Sequence, residues 1–213
     1  MTISISDLRK DYRQQSLSET EVDPNPLQQF QTWFKQAIEA EILEPNAMTL
    51  ATLSREGKPA ARIVLLKEVD DRGFTFFTNY KSRKGEELAH DPWAALVFWW
   101  AELERQVRIE GSVSQVSAAD SDRYFSSRPW GSRLGAWASE QSKAITGREV
   151  LEQNLRALEQ EYRDREVPRP PHWGGYRLSP TLIEFWQGRP NRLHDRLCYR
   201  LQGDQWQLER LSP

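Results

Sequence analysis

The stretch AMTLATLSREGKPAARIVLLKEVDDRGFTFFTN, residues 47–79, decides the fold of this chain. It contains three short segments rich in aliphatic, β-branched and aromatic residues, and the polar turn sequences REGK and VDDRG separate them. Segments of this length and composition are typical of β-strands, and short polar turns connect strands that run antiparallel. We therefore predict strands at 47–53, 60–67 and 74–79.

The chain that follows continues this pattern. WAALVFWW (93–100) predicts a strand buried on both faces, whereas RQVRIEGSVSQV (105–116) alternates between apolar and polar residues as a half-buried strand does. Another strand is predicted at 181–187, and a hairpin at 197–211 that turns at Gln202–Gly203–Asp204. A meander of strands that closes on itself predicts a β-barrel.

Helix-capping signals interrupt the strands. Asn25 followed by Pro26 predicts the start of a helix, because a side-chain acceptor before a proline suits a helix N-terminus. The apolar stripe of this helix would consist of Leu27, Phe30, Phe34 and Ile38. Further helices are predicted at 82–91 and 117–128, each beginning at a serine cap, and at 147–166.

The domain organisation follows from these elements. Residues 1–25 are polar and contain the turn sequence DPNP, so we expect a mobile N-terminal arm there. The remainder, 26–213, is expected to form a single domain, a β-barrel with helices added at one side.

Composition excludes several classes of protein. The net charge is -2, from 29 Lys and Arg against 31 Asp and Glu, so no overall basic field favours nucleic acid. The longest apolar run, 93–101, is too short for a membrane-spanning helix, and no secretory signal is expected. Cys198 is the single cysteine, and the three histidines lack metal-ligand spacing. We expect a soluble, cytoplasmic protein without a metal site.

Three cationic or titratable side chains lie close together in NRLHDRL, residues 191–197. On a strand, Arg192, His194 and Arg196 would all point to one face, whereas on a helix Arg192 and Arg196 would still share a face. Like charges on one face repel unless an anion or water lies among them. The segment indicates either an anionic ligand or a solvated edge.

Three other motifs are compatible either with a ligand-binding site or with an ordinary solvated surface. In TNYKSRKGEEL (78–88), Arg83 and Lys84 fall in the first helical turn, where cations are unfavourable unless an anion is bound. In RYFSSRPWGS (123–132), guanidinium and hydroxyl groups suited to phosphate surround a Pro-Trp-Gly turn. RIVLLK (62–67) carries a cation at each end of a strand. Each motif could also be solvated surface.

Taken in chain order, these motifs resemble the pyridoxamine 5'-phosphate oxidase family, together with LERQVRIEG, PPHWGGYRL and IEFWQGRPNRLHDR. The resemblance implies an α+β fold, the FMN-binding split β-barrel, which is mainly antiparallel and Greek-key-like with flanking helices. It further implies a homodimer with FMN at the subunit interface. The implied reaction oxidises pyridoxamine 5'-phosphate or pyridoxine 5'-phosphate to pyridoxal 5'-phosphate, and O2 becomes hydrogen peroxide.

The resemblance assigns cofactor-binding residues by position. Gln106 would contact the flavin ring, Gln141 and Ser142 would reach FMN from the other subunit, and Trp186 and Arg196 would complete the site. Phe77 stands where a tyrosine is common in the family, which would remove one hydroxyl contact. The remaining FMN contacts implied are Arg62, Ile63, Val64, Leu65, Lys67, Phe77, Thr78, Arg83 and Lys84.

Substrate-binding residues follow in the same way. Arg192 and His194 would lie over the substrate ring and are the implied catalytic pair, and Arg9 and Tyr12 would contact substrate from the arm. The implied clamp on the substrate phosphate consists of Lys67, Tyr124, Arg128 and Ser132.

Two other functions are weighed against the oxidase. A split-barrel flavin reductase with another substrate would bind FMN without oxidising pyridoxine phosphate. A non-enzymatic carrier would bind pyridoxal phosphate without FMN. The full substrate set disfavours the first, and the FMN motifs disfavour the second.

Overall fold

The computed structural model describes residues 11–213, which form five α-helices and nine β-strands. The helices are α1 (Pro26–Glu39), α2 (Arg83–His90), α3 (Ala118–Ser127), α4 (Trp130–Ala138) and α5 (Arg148–Glu161). The strands are β1 (Ala47–Leu53), β2 (Pro59–Leu65), β3 (Glu68–Asp70), β4 (Gly73–Asn79), β5 (Trp93–Trp100), β6 (Arg105–Gln115), β7 (Trp173–Gln187), β8 (Asp195–Gln202) and β9 (Gln205–Arg210). Every strand predicted between residues 47 and 116 is present, but β2 ends at Leu65, so Lys67 does not lie at the end of that strand as predicted.

The strands are hydrogen bonded in the order β2-β1-β5-β6-β7-β4-β3, and β8 pairs with both β7 and β9. Besides β6, the long strand β7 pairs with two further strands along its length. Its first half pairs antiparallel with β4, from Trp173 opposite Asn79 to Leu178 opposite Phe74. Its second half pairs antiparallel with β8, in a register that sets Trp186 opposite Arg196. One strand thereby serves two groups of predicted site residues.

The chain divides into two compact units. The first unit consists of the residues up to Thr49, Ala95–Glu110 and Pro180–Pro213, and the second consists of Leu50–Ala94 and Gly111–Ser179. Chain segments that are distant in sequence thus come together in each unit. Among residues 11–213, no helix is both long and apolar enough to cross a lipid bilayer.

Aromatic side chains form the core of the first unit. The ring of Phe30 lies 5.1 Å from that of Phe98, and Trp33 packs edge-on against Phe185 at 5.1 Å. Because α1 turns Trp33 inward, its buried face is shifted from the predicted stripe, and Ile38 is 55% exposed. Cys198 lies on β8 in this unit and is fully buried.

The predicted helix caps are confirmed. The side chain of Asn25 accepts a hydrogen bond from the Leu27 amide at 2.9 Å. The hydroxyl of Ser82 accepts from the Gly85 amide, and that of Ser117 accepts from the Asp120 amide at 3.0 Å. Short-range chemistry therefore fixes where α1, α2 and α3 begin.

Three sequence-based predictions are wrong in detail. Strand β5 alternates instead of being buried on both faces, and in the single chain Trp99 is 48% exposed. The Pro-Trp-Gly segment opens helix α4 instead of forming a turn. The strand predicted at 181–187 begins earlier, because β7 starts at Trp173. A β-carbon on Gly175 would lie 2.7 Å from Val116 and 2.8 Å from Phe77, so glycine here marks close packing in a strand.

Candidate active site

The second unit contains a pocket of about 480 Å³ that gathers most of the predicted site residues. Its volume is within the usual range for small-molecule sites. The predicted residues that line it are Ile63, Val64, Leu65, Lys67, Phe77, Thr78, Lys84, Tyr124, Arg128, Ser132 and Gln141. Asn79, Pro129 and Trp173 also line it and were not predicted. Residues assigned to cofactor and to substrate therefore share one pocket.

Lys84 occupies the pocket wall formed by the first turn of α2. Its ammonium donates to Gln141 Oε1 at 2.8 Å and to the Thr78 hydroxyl at 3.2 Å. Burial and the nearby positive charge of Arg62 lower the pKa of Lys84. The adjoining helix N-terminus also favours negative charge, so an anion is the ligand that best suits this wall. Gln141 makes this contact within its own chain, and its predicted approach to a partner's cofactor stays a prediction.

Arg62 and Arg83 do not line the pocket but meet at a buried carboxylate beside it. Arg62 Nη2 donates to Glu87 Oε2 at 2.8 Å, and Arg83 Nε donates to Glu87 Oε1 at 2.8 Å. The Thr52 hydroxyl donates to the same carboxylate at 2.6 Å. Burial opposes ionisation of Glu87, but these three donors outweigh it and lower its pKa. Arg83 faces a neighbouring groove that includes Arg55.

Sequence reasoning missed Glu87. It looked like an ordinary member of the charged helix SRKGEEL, and only its spacing of four residues from Arg83 gave a signal. The contact with Arg62 joins residues 25 positions apart, which no local pattern reveals.

The opposite pocket wall is aromatic. Phe77 stacks on Tyr124, with ring centroids 4.0 Å apart, and on Trp173 at 5.5 Å. The guanidinium of Arg128 lies over the Trp173 ring, 4.6 Å from its centroid. Within residues 11–213, no hydrogen-bond acceptor reaches Nη1 of Arg128, although that atom is buried. Burial also lowers the pKa of Arg128.

These observations test whether phosphorylated ligands fit the pocket. A buried cationic nitrogen without an acceptor requires an anionic or strongly polar partner, because a desolvated unpaired donor is costly. Lysine, arginine and hydroxyl side chains together bind phosphate oxygens well. The residues present therefore fit phosphate-bearing molecules, as FMN and the phosphorylated substrates both are.

A second group of predicted residues lies in the first unit. The rings of Trp186 and His194 are 4.5 Å apart, and Tyr12 lies 5.8 Å from each of them. The Arg189 amide donates to His194 Nδ1 at 3.1 Å, so the neutral ring carries its proton on Nε2. Burial and the charge of Arg192 lower the pKa of His194, against the opposing effect of Asp195. His194 is therefore neutral at pH 7.

Arg196 is fixed by a buried carboxylate in the same unit. Its Nε and Nη2 atoms donate to Glu184 at 2.8 and 3.2 Å, and Arg108 donates to Glu184 at 3.0 Å. This arrangement parallels that of Glu87, since one buried glutamate again holds two arginines. Glu184 was also not predicted.

The prediction that one strand presents Arg192, His194 and Arg196 together is wrong. Strand β8 begins only at Asp195, and Asn191 and Arg192 adopt left-handed φ angles of 58° and 61° in a 3₁₀ turn. A turn of this kind breaks the alternation that a strand would impose.

The remaining predicted site residues are Gln106, Ser142 and Arg9. Gln106 lies on β6 and is half-buried, whereas Ser142 is exposed, with a left-handed φ of 73°. Arg9 lies outside the described residues. The neighbouring segment is held in place, because Glu104 accepts hydrogen bonds from the Arg13 and Gln14 amides at 2.9 and 3.2 Å.

Two family models match the chain. One, described as pyridoxamine 5'-phosphate oxidase, matches residues 34–162, and one, described as the pyridoxine 5'-phosphate oxidase C-terminal dimerisation region, matches residues 173–213. The chain is 67% identical over 210 residues to the pyridoxine/pyridoxamine 5'-phosphate oxidase of Acaryochloris marina, covering 99% of this chain and 96% of that protein. It is 64% identical over 214 residues to the protein of that name in Gloeothece citriformis, with full coverage of both.

Solved structures agree on the fold. PhzG from Burkholderia lata, crystallised with tetrahydrophenazine-1-carboxylic acid, superposes with a TM-score of 0.87 at 32% identity, over 91% of this chain and 95% of that one. A pyridoxamine 5'-phosphate oxidase-related, FMN-binding protein from Nostoc punctiforme gives a TM-score of 0.69 at 17% identity, over 86% and 97%. The predicted fold class, an α+β split barrel with a mainly antiparallel sheet and flanking helices, is confirmed.

Proposed function

The chain belongs to the pyridoxamine 5'-phosphate oxidase family, and from this membership we propose that it oxidises pyridoxamine 5'-phosphate and pyridoxine 5'-phosphate to pyridoxal 5'-phosphate. FMN is the proposed cofactor and O2 the electron acceptor. The observation that carries this proposal is the pocket of the second unit, where phosphate-binding side chains assigned to cofactor and to substrate line one cavity.

The chain's own residues would hold FMN at two places. Lys84 and Thr78, which already contact each other, would hold its phosphate and ribityl chain together with Arg83, and Arg62 would contribute from strand β2. Strand β2 would lie along the cofactor through Ile63, Val64 and Leu65. The other proposed contacts are Lys67, Phe77, Gln106, Gln141, Ser142, Trp186 and Arg196. When bound, FMN supplies the two-electron acceptor that takes a hydride from C4' of the substrate and passes the electrons to O2, which yields hydrogen peroxide.

The proposed substrate clamp exploits the unsatisfied cation of the pocket. Arg128 would donate to the substrate phosphate through its buried Nη1, and Lys67, Tyr124 and Ser132 would supply further donors. Charge-assisted hydrogen bonds of this kind hold a ligand in a fixed orientation, which accounts for much of the rate of a bimolecular transfer.

Arg192 and His194 are the proposed catalytic pair. Arg192 would hold the substrate and stabilise the oxygen or nitrogen attached to C4'. His194 Nδ1 already accepts from the Arg189 amide, so the ring would face the substrate with its protonated Nε2 as a hydrogen-bond donor. Arg9 and Tyr12 would contact the substrate from the N-terminal segment, and Tyr12 lies against His194 in support of that role.

We also propose that the chain acts as a homodimer with FMN at the subunit interface. The matched C-terminal dimerisation region, residues 173–213, supports the dimer. Sedimentation velocity of the FMN-loaded protein checks this assembly. A monomeric species with full activity would contradict it.

Purification followed by spectroscopy and a peroxide assay tests the activity. We expect a yellow protein that releases peroxide and pyridoxal 5'-phosphate in equal amounts with either substrate. A flavin-loaded protein without turnover would indicate a reductase with another substrate. A colourless protein that binds pyridoxal 5'-phosphate would indicate a carrier, and either result would overturn the proposal.

A further inference from the structure

Three aromatic rings of the second unit form a nearly parallel stack in the pocket wall. The Phe77 ring is inclined by 20° to Tyr124 and by 13° to Trp173, and the planes of Tyr124 and Trp173 differ by only 7°. Parallel stacking fixes the plane of each ring more firmly than apolar contact alone, because the rings attract one another in preferred geometries. Trp173 is thus held in a defined orientation.

The stack carries the two cations assigned to the substrate phosphate. The guanidinium carbon of Arg128 lies 4.6 Å from the Trp173 ring centroid, and the Lys67 ammonium lies 6.0 Å from that of Tyr124. A cation over an aromatic face is attracted by the ring, and a planar guanidinium stacks there better than an ammonium does. The stack therefore helps to position the Arg128 guanidinium and the Lys67 ammonium groups.

Of the two rings that the Arg128 guanidinium contacts within residues 11–213, Trp173 is the nearer. In the described part of the chain, the buried Nη1 atom of Arg128 has no hydrogen-bond acceptor. Its other ring contact, to Phe125 at 5.5 Å, is longer than the one to Trp173. The orientation of the buried donor is thus set chiefly by Trp173.

We propose that Trp173 is a positioning residue that makes the pocket selective for phosphorylated over unphosphorylated B6 compounds, acting through Arg128. This inference rests on the proposed function. An alternative role for Trp173 is core packing alone, since it is buried in a cluster with Phe125, Leu134 and Val167. Loss of packing would lower the affinity for all ligands alike, whereas loss of positioning would lower the affinity only for ligands that carry the phosphate.

The test compares equilibrium binding of pyridoxal 5'-phosphate and of pyridoxal to the FMN-loaded protein. For Trp173→Leu, which keeps apolar bulk but removes the ring, we expect a roughly 3- to 30-fold loss of affinity for the phosphorylated ligand. Affinity for pyridoxal and for FMN should not change. Trp173→Phe keeps an aromatic face and should show a smaller loss of the same kind.

Trp137→Phe is the matched control. Trp137 packs against the same cluster and donates its indole N–H to the Pro168 carbonyl at 2.8 Å. The rings over which Arg128 lies within residues 11–213 are those of Trp173 and Phe125. We expect this variant to leave the ratio of the two affinities unchanged. If Trp137→Phe lowers that ratio as much as the Trp173 variants do, the positioning role is overturned.

A double-mutant cycle tests whether the effect passes through Arg128. In an Arg128→Lys background, where the planar guanidinium is absent, Trp173→Leu should have little further effect on the affinity ratio. Additive losses would overturn the inference, as would equal losses for both ligands. If Trp173→Leu does not fold, Trp173→Phe decides, and an unchanged ratio there overturns the inference.

The wild-type protein separates the inference from the proposed function. If it binds FMN and prefers pyridoxal 5'-phosphate, the proposed function stands whatever the Trp173 variants do. If it shows no such preference, both are overturned.

Discussion

Arg62 and Glu87 form a largely buried ion pair beside the pocket wall that contains Lys84, with Arg62 Nη2 placed 2.8 Å from Glu87 Oε2. The side chain of Glu87 is 6% exposed and that of Arg62 20%. Arg83 and the Thr52 hydroxyl complete the set of donors to the carboxylate. One glutamate thus fixes two arginines that we assign to the cofactor.

The first prediction concerns the stability that Glu87 provides. Replacing Glu87 with Gln should lower the free energy of unfolding at pH 7 by about 1–3 kcal/mol, because buried donors lose their charged acceptor. The pKa of Glu87 is lowered in the folded state, so its contribution is present above pH 4.5 and declines as pH falls through the lowered pKa. Urea unfolding of both proteins between pH 7 and pH 3 measures this difference.

Glu86→Gln is the control for that experiment. Glu86 precedes Glu87 on α2, its side chain is 59% exposed, and its ion-pair partner within residues 11–213 is the distant Lys143 at 3.8 Å. We expect a change within about 0.5 kcal/mol at every pH. A difference between wild type and Glu87→Gln that persists unchanged at pH 3 would contradict the role of the charge.

The second prediction concerns Lys84 and the cofactor phosphate. Lys84→Gln should weaken FMN binding by roughly 10- to 100-fold, because a charge-assisted contact in a partly desolvated wall is lost. Riboflavin lacks the phosphate, so its affinity should barely change. Flavin fluorescence titration measures both. Lys81→Gln, which alters an exposed lysine just before α2, should leave both affinities as they are.

The third prediction concerns Arg192. Arg192→Leu should lower kcat/KM for pyridoxine 5'-phosphate by roughly 10²-fold or more, because a charge-assisted contact to the reacting substrate is removed. FMN affinity should be unaffected. Steady-state peroxide assays give the ratio, and an unchanged kcat/KM would exclude Arg192 from catalysis.

The fourth prediction is a pH profile governed by His194. Burial and the charge of Arg192 lower the pKa of His194 below the ordinary histidine value of 6.5. The neutral ring therefore predominates at neutral pH. Protonation of Nδ1 would break the hydrogen bond from the Arg189 amide, and activity should therefore fall only as pH drops through the lowered pKa. The kcat/KM profile of the wild type should show this acid limb below pH 6.5.

The same profile responds to the neighbouring charge. In Arg192→Leu the residual activity should show its acid limb at higher pH, because one of the two effects that lower the His194 pKa is gone. In His194→Asn the limb should disappear. An acid limb that is identical in all three proteins would assign it to another group.

Much of the fold could be predicted because its signals are local. Asn25, Ser82 and Ser117 cap helices through atoms within three residues, and short runs of apolar and β-branched residues between polar turns were enough to locate most strands. Helix α4 escaped prediction because no side chain caps it and two glycines weaken its helical pattern. The left-handed turn at Asn191 and Arg192 could not be predicted, because the sequence still alternates there as a strand would.

The site divides in the same way. Motif positions predicted most of the pocket lining, including Lys84, Tyr124 and Arg128. They could not predict Trp173 as the ring beneath Arg128, because that contact joins residues 45 positions apart, one at the end of α3 and the other at the start of β7. Glu87 and Glu184 were missed for the same reason.

The buried position of Cys198 has a consequence for the lifetime of the protein. Its thiol is fully buried and burial raises its pKa, so the thiolate that oxidants attack is scarcely formed. Met48, the other sulfur-bearing residue within 11–213, is only 1% exposed. The proposed reaction would release hydrogen peroxide at each turnover, and burial protects both sulfur atoms from that oxidant. We expect the free thiol of Cys198 to persist through many thousands of catalytic cycles.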